Sequence, residues 1–182
     1  AIARLWLLEG HKVTGWTIEQ EVYESITMNE TNEKYLPHHP VPGLDATMHL
    51  AEAVEGAEIV VLAVPSSVIL DVMEDVLPHL QPGHVLLDLA KGLAPGKRLI
   101  SEAIHTRLKE EGKTNPLAVL TGPTIAPEAA GGVMTTALVA SEDQAIAQRL
   151  AQTLSTPSFI LHPASDPVGA ELWGAYKNVV AL

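Results

Sequence analysis

Short, uninterrupted runs of apolar residues constrain the fold of this chain more than any other feature. In the clearest run, residues 59–64, apolar side chains follow one another without a polar residue, and most are β-branched. Such a run is typical of a strand in a parallel sheet that is covered on both faces. A similar run occurs at residues 117–120, and residues 85–90 form another that contains one acid. Helical periodicity fills the stretches between them. The alternation predicts an α/β fold with a doubly wound, mostly parallel sheet and flanking helices.

The first part of the chain has the order of a dinucleotide-binding unit. A helix that Gly10 ends is followed by a strand and then by an acid, Glu19. This is the latter part of a Rossmann-like βαβ unit, whose glycine-rich loop would precede Ala1. Both chain ends lie in helical patterns, so we expect a fragment of a longer protein that lacks the first strand and that loop. Strands are expected at residues 12–17, 57–65, 85–90, 117–120, 135–141 and 158–162, and helices at 1–9, 21–32, 50–56, 68–77, 97–111, 142–154 and from 166 onward.

Composition excludes several classes of function. Hydrophobic residues make up 47% and charged residues 18% of the chain, which is typical of a globular protein. The formal net charge of -11 argues against a nucleic-acid-binding surface but permits an anionic small-molecule ligand. Without cysteine there is no disulfide, thiol nucleophile or thiolate metal site, and adjacent His38 and His39 lack further ligands at suitable spacing. No apolar run reaches the ~18 residues of a membrane span.

Glu19 is a candidate cofactor-binding residue. It lies just past the second strand of the predicted unit, where a carboxylate hydrogen-bonds a ribose 2′-hydroxyl of a dinucleotide. No Arg or Lys stands between Trp16 and Glu21 to receive a 2′-phosphate, so the local charge favours NAD over NADP. The alternative is that Glu19 only caps the next helix.

Three predicted strands end in residues that can bind a ligand. Pro65 follows the first, Lys91 and Gly92 follow the second, and Gly122-Pro123-Thr124 follows the third. In a doubly wound sheet the carboxyl ends of the strands lie along one edge, where ligands bind. A lysine at this edge can bring an ammonium group to a phosphate or carbonyl oxygen. Thr124 also has the chemistry of a helix N-cap. The alternatives are a solvated surface lysine and an ordinary strand-to-helix connection.

Lys177 is the second candidate cation. It lies in a C-terminal helical pattern whose other residues are mostly apolar and small. If it is partly buried, its pKa falls toward neutrality, which suits it to exchange a proton with a hydroxyl or a ketone. The small residues Gly174 and Ala175 leave room for a ligand or a second helix. A half-buried structural lysine is the alternative.

Six segments together resemble a known enzyme family. They are residues 35–37, 61–66, 89–92, 122–128, 155–157 and 169–178. In order and spacing they are similar to the bacterial-type NAD(P)-dependent glycerol-3-phosphate dehydrogenases. The resemblance covers nearly the whole chain, although the Val-Pro-Ser segment at residues 64–66 is shared with many related dehydrogenases.

The resemblance implies an enzyme that interconverts dihydroxyacetone phosphate and sn-glycerol 3-phosphate with NAD or NADP, in phospholipid synthesis. It implies that Lys177 is the catalytic acid/base and that Lys91, Gly122 and Thr124 bind the substrate. It implies that Lys91, Ala126 and Tyr35 bind the cofactor, in addition to Glu19 and Pro65, which are candidates from their positions after predicted strands. Residues 1–165 would form the NAD(P)-binding domain, and residues 166–182 would begin a helical C-terminal substrate domain. The expected setting is cytoplasmic, with a small phosphorylated substrate as the partner and a homodimer left open.

This chain departs from the family at two positions. The family's loop usually has the sequence Gly-Pro-Ser-Phe-Ala, whereas Thr124 and Ile125 keep the hydroxyl and lose the aromatic ring. An Arg is common where Ile18 stands, which leaves the NADP preference open. Two other functions also stay open: another β-hydroxyacid-type dehydrogenase, and a non-catalytic nucleotide-binding module, against which Lys91 and Lys177 argue. We expect the fragment alone to be inactive.

Overall fold

The computed structural model describes the backbone of residues 1–180 and the side chains of residues 1–176. The described elements, in chain order, are α1 (Ile2–Leu8), β1 (Thr14–Trp16), α2 (Gln20–Asn29), β2 (Asp45–Thr47), α3 (Leu50–Val54), β3 (Ile59–Leu62), α4 (Ile69–Val76), β4 (Val85–Asp88), α5 (Ile100–Glu110), β5 (Leu117–Thr121), α6 (Ala126–Ala130), β6 (Thr135–Ala140), α7 (Gln144–Leu154), β7 (Phe159–Ala164) and α8 (Pro167–Val180). A short 3₁₀ turn, Leu77–His79, follows α4. Every helix and strand expected from the sequence is present.

The strands are arranged in two sheets. One has five strands in the order β3-β4-β5-β6-β7, and the other consists of β1 and β2. Neighbouring strands are parallel, except that β5 and β6 are antiparallel. The register places Leu62 beside Asp88 and Asp88 beside Val119, so β3, β4 and β5 end at one edge. The prediction of a mostly parallel, doubly wound sheet is confirmed.

Two features of the sheets were not expected. β2 has only three residues without an apolar run, and it becomes a strand by pairing with β1. β6 runs antiparallel to β5 because the connection, residues 122–134, holds only the five-residue helix α6. A helix of that length spans about 7.5 Å, less than half of the about 16 Å of a five-residue strand. The chain therefore folds back beside β5 instead of crossing over the sheet.

Helices cover both faces of the five-stranded sheet. Leu86 of β4 lies in an apolar core with α4 and α5, whereas the next residue, Leu87, lies in a core with α1 and α7. Both side chains are fully buried. Successive strand residues point to opposite faces, so an uninterrupted apolar run supplies both cores at once.

Local chemistry explains several helix ends. Gly10 has a positive φ of 85° and ends α1, as expected from the sequence. Asp143 caps α7, because its carboxylate accepts a hydrogen bond of 2.9 Å from the Ala145 N–H. None of the helices in the part of the chain that the structure describes is long and apolar enough to cross a membrane.

Candidate active site

The carboxyl edge of β3, β4 and β5 brings together the loops that the sequence singled out. Gly92 has a φ of 119°, and a side chain at this position would begin 3.1 Å from the Ser66 hydroxyl oxygen. Glycine is thus required both by its backbone conformation and by the approach of the two loops. The loop after β4 therefore lies against the loop after β3, with Pro65 exposed beside it.

Lys91 and Thr124 meet at this edge. The Lys91 Nζ donates a hydrogen bond of 3.3 Å to the Thr124 hydroxyl, with Lys91 exposed and Thr124 half-buried. Thr124 does not cap α6, because the N-cap is Ile125 and no side-chain cap bond forms. The prediction that Thr124 is an N-cap is therefore wrong. The contact places an ammonium group and a hydroxyl side by side, which suits the binding of a phosphate or carbonyl oxygen.

Gly122 is explained by packing between strands. A side chain here would begin 2.9 Å from the Ala137 Cα and 2.9 Å from the Thr136 carbonyl oxygen. No side chain fits so close to the backbone of β6, so only glycine allows the turn from β5 into the Thr124 loop. Ala126, two residues beyond Thr124, is the exposed first residue of α6. Ile125, at the position where the family usually has an aromatic residue, is 54% exposed.

Asp88 is a buried acid that sequence reasoning did not select. It ends β4 and is fully buried, and its Oδ1 accepts a hydrogen bond of 2.8 Å from the Ala90 N–H. Its Oδ2 has no hydrogen-bond partner among the described residues. Burial raises the pKa of Asp88 to about 7, against the hydrogen bond from Ala90 and with a smaller contribution from the charge of Glu171. Asp88 thus orients the turn that leads to Lys91, and a lone acid inside an apolar run was the available signal.

Glu171 anchors α8 to α5. Its buried carboxylate accepts hydrogen bonds from the Ile100 N–H, the Ser101 N–H and the Ser101 hydroxyl. These groups form the amino end of α5, where unpaired N–H groups and the helix dipole stabilise a negative charge. Sequence reasoning also missed this role, because it depends on a contact between residues about 70 positions apart.

Gly174 places α8 directly on the end of β5. A side chain at position 174 would begin 2.5 Å from the Thr121 hydroxyl oxygen. The space that Gly174 leaves is therefore filled by Thr121, and not by a ligand or a second helix. Lys177 follows three residues later in α8, but its side chain lies outside the described residues.

Glu19 and Tyr35 form a second group at the carboxyl end of β1. Glu19 is the N-cap residue of α2, but its side chain makes no cap bond. Instead its carboxylate accepts a hydrogen bond of 2.6 Å from the Tyr35 hydroxyl. It also forms an ion pair with the Lys34 ammonium, which pairs with Glu21 as well. The bonds from Lys34 and Tyr35 lower the pKa of Glu19, and the bond to Glu19 raises that of Tyr35. The alternative that Glu19 only caps the helix is wrong for its side chain, which bonds to Tyr35 and Lys34 instead.

Histidine is not part of either group. His38 and His39 lie in the loop after α2, and the described residues contain no group of three or more His, Asp or Glu side chains that could hold a metal ion. His38 has a positive φ of 73°, so this pair marks a sharp turn of the loop.

Comparisons with known proteins agree on one family. Residues 1–147 match the family model described as NAD-dependent glycerol-3-phosphate dehydrogenase N-terminus. Over its whole length the chain is 35% identical to the NAD(P)+ glycerol-3-phosphate dehydrogenase of Clostridium acetobutylicum and 37% identical to that of Anaeromyxobacter dehalogenans. It covers 54% and 55% of those proteins, so it spans about half the length of the curated relatives it matches.

Solved structures show the same relationship. The crystal structure of glycerol-3-phosphate dehydrogenase from Coxiella burnetii is similar with a TM-score of 0.89 at 29% identity, over 99% of this chain and 55% of that one. The UDP-D-ManNAc dehydrogenase of Pyrococcus horikoshii has a TM-score of 0.76 at 15% identity, over 98% of this chain and 47% of that one, and shares the fold alone.

Proposed function

Because the chain belongs to the family of NAD-dependent glycerol-3-phosphate dehydrogenases, we propose that it is the cofactor-binding part of an enzyme that interconverts dihydroxyacetone phosphate and sn-glycerol 3-phosphate. The observation that carries the proposal is the contact between Lys91 and Thr124 at the carboxyl edge of the sheet. A cation and a hydroxyl group side by side can bind the oxygen atoms of a phosphorylated ketone. The loop after β4 supplies the cation, Lys91, and the loop after β5 supplies the hydroxyl, Thr124. The product, sn-glycerol 3-phosphate, would feed phospholipid synthesis.

The residues at the carboxyl end of β1 suit NAD or NADP. The Glu19 carboxylate accepts bonds from Tyr35 and Lys34 and has further lone pairs, which a ribose hydroxyl can use. Pro65 and Ala126 are small or rigid exposed residues at the sheet edge, where a flat ring system can lie without displacing a long side chain. When bound, the nicotinamide supplies the hydride or accepts it.

Lys91, Gly122 and Thr124 form the proposed substrate site, and Lys177 is the proposed acid/base. The Lys91 ammonium stabilises the negative charge that develops on the ketone oxygen during reduction. Gly122 contributes through its backbone, since Ala137 occupies the space of a side chain. Lys177 donates the proton to the resulting alkoxide and removes it in the reverse reaction.

A second, helical domain is part of this proposal. Residues 1–165 form the cofactor domain, and residues 166–182 begin the substrate domain. Trp173 and Tyr176 of α8 support this division, because they are 69% and 57% exposed and together offer a large apolar surface for another domain to cover.

The proposed reaction also bears on location and partners. A phosphorylated substrate and a dinucleotide do not cross membranes unaided, which supports a cytoplasmic protein. The net charge of -11 supports a small-molecule partner and no nucleic acid. A homodimer stays a prediction, to be checked by light scattering of the full-length protein.

The test of the proposed function is turnover by the full-length protein. Purified enzyme should oxidise NADH or NADPH in the presence of dihydroxyacetone phosphate, and should not reduce NAD with 3-hydroxy acids. Lys177→Ala and Lys91→Ala should each lower kcat by roughly 100-fold or more, as the loss of a proton donor or of a charge-stabilising group does. Lys109→Ala, an exposed lysine on α5, is the matched control. Undiminished turnover in Lys177→Ala would contradict the catalytic role.

A further inference from the structure

Lys34 places a positive charge where the sequence around Glu19 has none. It lies 15 residues after Glu19, in the turn that follows α2, and its ammonium pairs with both Glu19 and Glu21. The local sequence suggested a site without a cation for a 2′-phosphate. The fold corrects this, because the turn returns Lys34 to the carboxyl end of β1.

Hydrogen bonds within the turn that carries Lys34 fix its backbone. The Tyr35 N–H donates a hydrogen bond of 3.0 Å to the Asn32 side-chain oxygen. The Leu36 N–H donates one of 2.8 Å to the Asn32 carbonyl oxygen. Leu36 is buried and holds the turn to the domain. The Lys34 ammonium lies 5.3 Å from the centre of the Tyr35 ring, and the Tyr35 hydroxyl bonds to Glu19. Lys34 and Tyr35 therefore approach Glu19 together.

The charges of this group distinguish a ribose hydroxyl from a ribose phosphate. Two carboxylates and one ammonium leave a net charge of about -1 around Glu19, while a phosphate monoester carries about -1.5 to -2 at neutral pH. Lys34 has three donor hydrogens, and Glu19 and Glu21 accept two of them. A neutral 2′-hydroxyl can donate a hydrogen bond to Glu19 in this arrangement. A 2′-phosphate would instead be repelled by the two carboxylates, because the Lys34 ammonium is already paired with both of them.

We propose that Glu21 sets the choice between NAD and NADP by holding Lys34 on Glu19, so that release of Lys34 from Glu21 converts it into a ligand for the 2′-phosphate. This inference rests on the proposed function, because it takes the carboxyl end of β1 as the site of the adenosine ribose. Glu21 is itself 65% exposed in its side chain and need not touch the nucleotide. It acts through Lys34.

The test measures binding of NAD+ and NADP+ to the full-length protein by calorimetry, so that it does not depend on turnover. Glu21→Gln should shift the ratio of the two dissociation constants toward NADP+ by about tenfold, which corresponds to one added favourable charge contact at the surface. Glu24→Gln is the matched control. It removes the same charge one turn further along α2, where the Glu24 carboxylate bonds to Gln20 and not to Lys34.

A double variant separates this role from a general effect of charge. In Glu21→Gln combined with Lys34→Gln, the gain for NADP+ should disappear, because the cation that Glu21 releases is no longer present. A gain that persists in the double variant, or an equal gain in Glu24→Gln, overturns the inference. If either outcome overturns the inference, the proposed function still stands as long as the unaltered protein binds NAD+. If the unaltered protein binds neither NAD+ nor NADP+, the proposed function itself is contradicted.

Discussion

The buried carboxyl of Asp88 should make the unfolding free energy of this protein depend on pH, and the substitution Asp88→Asn should remove that dependence. Burial raises the pKa of this carboxyl from 3.8 to about 7. Between these values the folded state keeps the proton and the unfolded chain releases it. The unfolding free energy therefore falls as the pH rises through this interval, which is the opposite of the usual behaviour of a salt-bridged aspartate.

The size of the effect follows from the two pKa values. Ionising Asp88 in the fold costs about 4 kcal/mol more than ionising it in the unfolded chain. Integrating the linkage from pH 5 to pH 8 assigns about 2–3 kcal/mol of this cost to that range. Asp88→Asn keeps an oxygen for the Ala90 N–H and cannot ionise. The stability of Asp88→Asn relative to the unaltered protein should therefore rise by about 2–3 kcal/mol from pH 5 to pH 8.

Urea unfolding of the full-length protein at constant ionic strength measures this difference. Trp6 is buried in the core on the α1 face of the sheet, so its fluorescence reports on this domain. Asp75→Asn, on the exposed side of α4, makes the same chemical change without burial and serves as the control. A relative stability of Asp88→Asn that stays constant with pH would refute the reasoning, as would an equal change in Asp75→Asn.

Three further substitutions test the packing of α8 and the Thr124 loop. Glu171→Gln should lower the unfolding free energy by about 1–3 kcal/mol, because a charged acceptor is lost at the amino end of α5. Gly174→Ala should cost about 1–3 kcal/mol and lower kcat, since the added methyl meets the Thr121 hydroxyl. Thr124→Val should lower kcat/KM for dihydroxyacetone phosphate by roughly 10-fold, whereas Thr124→Ser should keep it, because serine retains the hydroxyl that bonds to Lys91. Urea unfolding and steady-state kinetics are the measurements.

Each of these has a control within the chain. Glu102 is exposed in the first turn of α5, so Glu102→Gln should leave the unfolding free energy nearly unchanged. If Glu102→Gln lowered it as much as Glu171→Gln, the role assigned to Glu171 would be contradicted. Thr121→Ala should restore part of the stability lost in Gly174→Ala by removing the opposing hydroxyl, and the absence of any rescue would contradict that contact. Equal kinetics in Thr124→Ser and Thr124→Val would show that the hydroxyl has no role.

Much of the fold was predictable because its signals are local. Uninterrupted apolar runs become strands buried on two faces, and Gly10 ends α1 where expected. The loops after β3, β4 and β5 were expected at one edge, since parallel strands end together, and the Lys91–Thr124 contact lies there. β2 was missed because three residues without an apolar run acquire their conformation only from β1.

The sequence by itself determined the α/β class, the strands that carry the candidate residues, and the family. Only the tertiary structure decided what the side chains do at the site. It brings Lys34 to Glu19, buries Asp88 beside the turn to Lys91, and fills the space at Gly174 with Thr121. The reason is physical: strand and helix signals lie within about ten neighbouring residues, whereas charge and packing at a site depend on contacts between distant segments.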